Sequence, residues 1–436
     1  MHLTVFAILL LLAVAPLIAA AGWSPLLGSA AAIWLAAVVL LIAADAVLAG
    51  KPDRFRIRRM HDSKLSLGAP NPIRLELQHL GYRKAVFWIR DDPPPEFLGE
   101  RTVLRGECSG RSRWTGTYAV VPPRRGDYRF GPIHLRWKGP LGLVVRQTSY
   151  PAAGPVRVYP NLMDIRRYDL MLRQNRLQEI GLRHARLFGR GMEFERLREY
   201  LPDDDFRRIH WKATARRNRP ITIEYQTERS QNVIAVLDTG RMMQSPVDRM
   251  AKLDYAVNAV LLLAFVAAGK GDKVGLLSFA DDIQHYLRPR AGRMQFYRML
   301  KLLYAVEPQG VEPDYRRAVG YLASKERKRS LVILFTDLTG SLGVRALVES
   351  LGVIAERSLP MVVTISDPDI HQAASGRPVN SETVYLRMES ELLLVERRRT
   401  LDTLRRKGVL TLDVPANRLS ISVINRYLEL KERMLL

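Results

Sequence analysis

GMEFERLREYLPDDDFRRIHWKATARRNRPITIEYQTERSQNVIAVLDTGRMM, residues 191–243, decides how this chain is read. It packs opposite charges around three consecutive carboxylates, Asp203, Asp204 and Asp205, and then runs into an apolar strand, Asn232–Leu237, that stops on Asp238. A short β-branched run that ends on a carboxylate reads as the first strand of an α/β domain. Four more such runs follow, at Lys273–Phe279, Ser330–Thr336, Pro360–Ser366 and Val409–Leu412. Helical spacing fills most of the intervals, over 247–268, 294–306, 314–324, 342–357, 389–407 and 418–434. This alternation predicts an α/β fold with a mostly parallel sheet, covered by helices and joined by right-handed crossovers.

Several strands end on acids: Asp238, Asp281-Asp282, Asp337 and Asp367. Ligands bind at the carboxyl edge of open α/β sheets. Asp238 and Asp337 are therefore the candidate metal ligands, two carboxylates that could share Mg²⁺ with hydroxyls and water. Asp at such positions also caps helices, which needs no ligand.

Within the charged stretch, Asp203 or Asp204 is expected to cap a helix over 205–217, with Phe206, Ile209 and Ala213 on one face. Arg207, Arg208, Lys212, Arg216 and Arg217 would lie within reach of the acids at helical spacing. The candidate binding set is Arg198, Glu199, Asp204, Asp205, Arg207, His210, Trp211, Lys212 and Arg216. It reads as an ion network that docks this module on the α/β domain, or as a recognition surface. No nucleophile or metal set accompanies it, so a catalytic acid/base role is not supported.

Upstream, residues 3–21 and 26–48 are apolar runs separated by Gly22-Trp23-Ser24-Pro25. Both are long enough to cross the bilayer as helices, and they predict a transmembrane hairpin. Ala19-Ala20-Ala21 resembles a signal-peptide cleavage site, but the first run lacks a basic start. Lys51, Arg54, Arg56, Arg58 and Arg59 follow the second run, which places the remainder in the cytoplasm whether or not the first run is cleaved. From 51 to 160, alternating strands and Gly/Pro turns predict a small antiparallel β-rich, sandwich-like domain. The expected organisation is thus a hairpin at 1–50, a β-rich domain at 51–160, a helical linker with the charged module at 161–231, and the α/β domain at 232–436.

The 436 residues are 47% hydrophobic and carry a formal charge of +23, so anionic lipid, nucleic acid and acidic proteins all enter as partners. The single cysteine, Cys108, excludes an intramolecular disulfide and a cysteine zinc cluster. No phosphate loop, zinc-protease motif or nucleophile elbow is present, and nucleic-acid motifs are missing. The sequence therefore reads as non-enzymatic.

R-E-Y-x-x-x-D-D-x-R-x-I-H-W-K-A-T-A-R (198–216) and V-L-D-T-G-R-M-M (236–243) resemble the signature of the bacterial family called domain of unknown function 58. R-R-G-D-Y-R-F-G-P (124–132) and P-L-G-L (140–143) are similar to that family's β-rich part. The resemblance implies an inner-membrane protein with cytoplasmic domains and a von Willebrand factor A-like (VWA-like, Rossmann-like) sheet. It also implies partnership with a MoxR-type AAA+ ATPase and with transglutaminase-like membrane proteins, in an assembly role. A metal-binding VWA domain carries D-x-S-x-S after its first strand; here Gly240 and Met242 replace both serines, and Glu312-Pro313-Asp314 replaces the later Thr. Mg²⁺ demands near-octahedral oxygen ligands, so the site is degenerate and no cofactor is expected. The alternative function is a basic domain that binds anionic lipid or nucleic acid.

Overall fold

A computed structural model describes the chain except residues 21, 100–102, 174–192, 202–205, 207–208, 227–229, 249, 339–343 and 434–436. It divides into two compact units, Met1–Tyr159 and Pro160–Leu436.

The first unit joins the apolar N-terminal helices to the β-rich part. The first apolar run is not one helix: Val5–Leu12 and Ala15–Ala20 are separate, because Pro16 in the first turn of the second has no N–H to continue the ladder. The second run is a continuous helix, Pro25–Leu48, with Ser24 as its N-cap and Pro at its start. Among the described residues, two helices are long and apolar enough to cross a membrane, at 26–48 and 252–269. The former is only 11% buried and the latter 72%, which marks the latter as a core helix of the second unit.

The β-rich part is built from a five-stranded and two three-stranded sheets. Strand Asn71–His79 alternates buried and open residues along its length, and Ala85–Asp91 does the same. Their inward residues Leu75, Leu77, Phe87 and Ile89 meet Leu135 and Trp137 in one core, as in a sandwich of two sheets. One edge strand of the five-stranded sheet is His2–Leu3, paired antiparallel with Val144 and Val145.

Asp45, the only charge in the second apolar run, is fully buried. Its carboxylate accepts three backbone N–H bonds, from Leu141 (2.7 Å), Leu143 (2.8 Å) and Val144 (2.9 Å). A Cβ at Gly139 would collide with this carboxylate, and Gly142 takes φ +76°, so the loop needs both glycines. Just beyond the helix, Trp137 Nε1 donates to the Ala49 carbonyl and Tyr150 Oη to that of Pro52. The P-L-G-L run at 140–143 is therefore the cradle that fixes the apolar helix to the β-sheet.

The second unit contains a six-stranded sheet. Its strands are β1 (Asn232–Asp238), β2 (Lys273–Phe279), β3 (Ile283–Arg290), β4 (Leu331–Thr336), β5 (Leu359–Ser366) and β6 (Leu410–Pro415). Its helices are α1 (Lys252–Gly269), α2 (Arg293–Ala305), α3 (Tyr315–Lys325), α4 (Val344–Ala355), α5 (Pro368–Ser375), α6 (Ser381–Arg406) and α7 (Leu419–Glu432). The spatial order is β3-β2-β1-β4-β5-β6. All pairs are parallel except β2–β3. The antiparallel β3 is absent from the sequence reading, because IQHYLRPR is half-polar and contains a proline that suits only an edge strand. Near-continuous burial along β1, β2, β4 and β5 follows from helices packing on both faces.

Two expected helices begin elsewhere. The one read from 247 starts at Lys252, because Pro246–Val247 and Met250–Ala251 pair as a small hairpin with Asp248 at φ +53°. The one read from 389 starts at Ser381, where Asn380 and Thr383 form a capping box.

Candidate functional site

The strand order reverses between β1 and β4, and a doubly wound sheet opens a crevice there at its carboxyl edge. Asp238 closes β1 and Asp337 follows β4, so both candidate ligands stand at this switch point. Their surroundings differ. The Asp238 carboxylate accepts from the Gly240 N–H (2.7 Å), Thr336 Oγ1 (2.6 Å) and Tyr315 Oη (3.1 Å). Burial pushes its pKa up to about 6 against these three donors, and the neighbouring Asp337 charge adds to the rise. Burial likewise raises the Tyr315 hydroxyl well above its ordinary value, reinforced by the Asp238 charge.

Asp337 is held by cations. Lys252 Nζ reaches one of its oxygens at 2.7 Å and Arg397 Nη1 the other at 3.1 Å. Lys252 also lies 3.7 Å from Asp367. Its side chain is only 4% exposed although it opens helix α1, where the helix dipole disfavours a cation. The ion pair is what holds it there. Arg397, on α6, spreads its fork over Asp413, Thr364 Oγ1 and the Ile365 carbonyl, and so ties β4, β5 and β6 at one edge. Burial opposes the Asp413 charge, but the Arg397 hydrogen bonds and charge win and lower its pKa.

A Mg²⁺ ion does not fit this donor set. A Cβ at Gly240 would meet Pro313 Cδ at 2.8 Å and the Val311 carbonyl at 3.0 Å, so the space a serine would use is filled. Glu312 pairs with Arg241, and Asp314 caps α3 by accepting from the Arg317 N–H. Asp337 already has two cationic partners. Among the described residues, no group of three or more His, Cys, Asp and Glu side chains is placed to hold a metal ion. A cavity of about 240 Å³ opens at the opposite, amino end of the sheet, lined by Leu322, Val332, Val353 and Ile354.

The charged module is built differently from the expectation. Asp204, Asp205 and Arg207 lie outside the described residues. The helix described begins at Trp211, and its N-cap is His210, whose Nδ1 accepts from the Ala213 N–H at 3.0 Å. Ile209 is bridged to Thr222 and His210 N–H donates to the Ile221 carbonyl, so these residues are extended against a strand. Ile209 therefore shares no helix face with Ala213. Trp211, Lys212 and Arg216 are exposed on this short helix, Trp211 by 69%. Arg198 lies in a strand, Glu193–Glu199, paired antiparallel with Ile221–Gln226. Glu199 forms an exposed ion pair with Arg219 at 3.0 Å.

This module and the sheet as far as α5 coincide with a known profile. Residues 196–374 match the family described as protein of unknown function DUF58. The match supports the DUF58 identification. An uncharacterized protein of Mycobacterium tuberculosis is 28% identical over 182 residues, 41% of this chain and 56% of that protein. The uncharacterized protein YeaD of Bacillus subtilis is 24% identical over 228 residues, 52% of this chain and 54% of that protein. The chain thus spans about half the length of the relatives it matches. Among solved structures, the conserved hypothetical protein BatB of Bacteroides thetaiotaomicron shares 15% identity, with a TM-score of 0.34 over 47% of this chain and 99% of that one. An uncharacterized membrane spanning protein of Vibrio fischeri shares 12%, with a TM-score of 0.19 over 46% of this chain and 98% of that one. These scores are too low to assign the fold, and the DUF58 segment stands on sequence.

Sequence reasoning missed Lys252, Tyr315, Arg397 and Asp413. Lys252 carried one signal, a lone cation heading the apolar run KLDYAVNAVLLL. Arg397 carried none, since Arg398 and Arg399 beside it are exposed.

Proposed function

We propose that this protein is a non-enzymatic, membrane-anchored assembly factor with its domains in the cytoplasm. Its VWA-like domain engages a MoxR-type AAA+ ATPase, alongside a transglutaminase-like membrane protein. The carboxyl edge carries the reading: Asp238 and Asp337 there are consumed by Lys252, Arg397 and buried hydroxyls, which leaves a rigid, neutralised platform rather than an acid/base or metal centre. Strand order and the antiparallel edge strand support the VWA-like assignment. The apolar helix 26–48, followed by exposed Lys51, Arg54, Arg56 and Arg58, supports anchoring with the positive end inside.

Affinity purification of the full chain from detergent-solubilised membranes is expected to recover an AAA+ ATPase. The yield should fall with Trp211→Ala or Lys212→Ala while the denaturation midpoint is unchanged. Recovery of no ATPase at any detergent strength would sink the reading. The same exposed basic residues favour a second function, binding to anionic lipid. Association with phosphatidylserine vesicles that weakens steeply with salt would support it.

A further inference from the structure

Helix α6 has two faces of opposite character. At about 100° per residue, Ser390, Arg397, Leu401 and Leu404 share one face, and these are its buried residues. Half a turn away lie Tyr385, Met388, Leu392 and Val395, spaced three, four and three residues apart, as in a coiled-coil seam. They are 73, 61, 58 and 41% exposed. A seam of this kind is built to receive the knobs of another helix, and single scattered apolar residues would not fall in register.

Its border says which helix. Glu382, Glu389 and Glu396 recur every seventh residue along one side of the seam, all exposed. Among the described residues, none of the three has an ion-pair partner. On the other border, Glu391 is already paired with Arg387 at 2.8 Å. On a chain with formal charge +23, this acidic row is a local exception.

We propose that the outer face of α6 is the docking seam for an amphipathic partner helix that carries Lys or Arg along one border at seven-residue spacing. A second copy of the chain is the poorer occupant, because antiparallel pairing sets the acidic row against itself. A membrane surface is poorer too, because helices that lie on anionic bilayers border their apolar face with Lys and Arg. The seam spans about two heptads, so the contact is short and its specificity comes from the charged border. This inference goes beyond the ATPase reading and does not depend on it, because the test contains no ATPase.

The probe is a pair of fluorescent synthetic peptides of about three heptads with the same Leu/Ile seam, one flanked by Lys and one by Glu. They are titrated by anisotropy against the full chain in nanodiscs of neutral lipid. The Lys-flanked peptide is expected to bind at least about tenfold more tightly. Met388→Ser with Leu392→Ser should weaken it by about tenfold or more. Glu389→Lys with Glu396→Lys should reverse the preference between the peptides. All four positions are exposed, so folding is not at stake, and an unchanged denaturation midpoint would verify that. Equal binding of the two peptides, or binding unmoved by the seam pair, overturns the proposal. So does sedimentation that shows self-association abolished by the seam pair, or vesicle binding abolished by it.

Discussion

Asp45 and Asp337 are both buried carboxylates, one in each unit, and they are stabilised by opposite means. Asp45 is met by three neutral backbone N–H groups from one loop, and two glycines shape that loop. Asp337 is met by two cations from helices far apart in sequence, Lys252 and Arg397. The first arrangement joins one helix to one turn through the shape of a backbone. The second joins three strands and two helices through charge, and it tolerates no loss of a partner. A backbone cradle is local and geometric, whereas a buried ion cluster is long-range and stoichiometric.

The largest effect is expected where the cluster loses a charge. Arg397→Met leaves Asp337 and Asp413 short of a partner and should cost about 3–5 kcal/mol in chemical denaturation. Adding Asp413→Leu should return part of that, a non-additivity that a collection of independent contacts would not give. If Arg397→Met costs less than about 1 kcal/mol, the cluster does not hold the edge together.

Next comes the cradle. Asp45→Ala should cost about 2–4 kcal/mol, because buried N–H groups lose their acceptor. Asp45→Asn should cost less, since an amide oxygen still accepts. Hydrogen exchange at the Leu141, Leu143 and Val144 amides measures this directly and should speed up in the order wild type, Asn, Ala. Equal exchange in all three would break the contrast drawn here.

Asp238 gives a third effect, read through pH. The folded carboxyl keeps its proton to about pH 6, against a reference of 3.8. Between these values the folded state binds more protons than the unfolded one, so stability falls as pH rises, by roughly 3 kcal/mol in all. Above about pH 6 this contribution is flat. Asp238→Asn should remove the slope, and an identical pH profile in the two proteins would refute the assignment. The smallest effect belongs to Gly240→Ser, which forces Pro313 to move and should cost about 1–2 kcal/mol. Calorimetric titration of that variant with Mg²⁺ should still show no binding, because Lys252 and Arg397 remain.

The α/β pattern was legible because buried parallel strands are written as uninterrupted apolar runs, as in NVIAVLD and LVILFT. The edge strand β3 was not, since solvent on one side leaves IQHYLRPR without a clear period. At the candidate site, Asp238 and Asp337 were visible because an acid ending an apolar strand is conspicuous. Their partners were not: Arg397 and Asp413 lie 60 and 76 residues beyond Asp337, and nothing local separates a buried arginine from the two that follow it. Asp45 was noticed only as an interruption of an apolar helix. Its cradle lies about 100 residues on, in a loop whose glycines look like ordinary turn residues. The seam on α6 was hidden in the same way, because Val395 and Leu392 fit a buried helix as well as an exposed one.

The edge strand His2–Leu3 also carries a timetable. It is synthesised before its partners Val144 and Val145, which come more than 140 residues later. At about 5–20 residues per second, that is a wait of roughly 7–30 s. Through that interval the apolar helices wait with the sheet still unfinished, and pairing at His2 then ties off the loop they make. A bulky tag fused ahead of His2 would therefore act as a wedge at the last step of assembly, and its effect would be on yield rather than on the finished protein's chemistry.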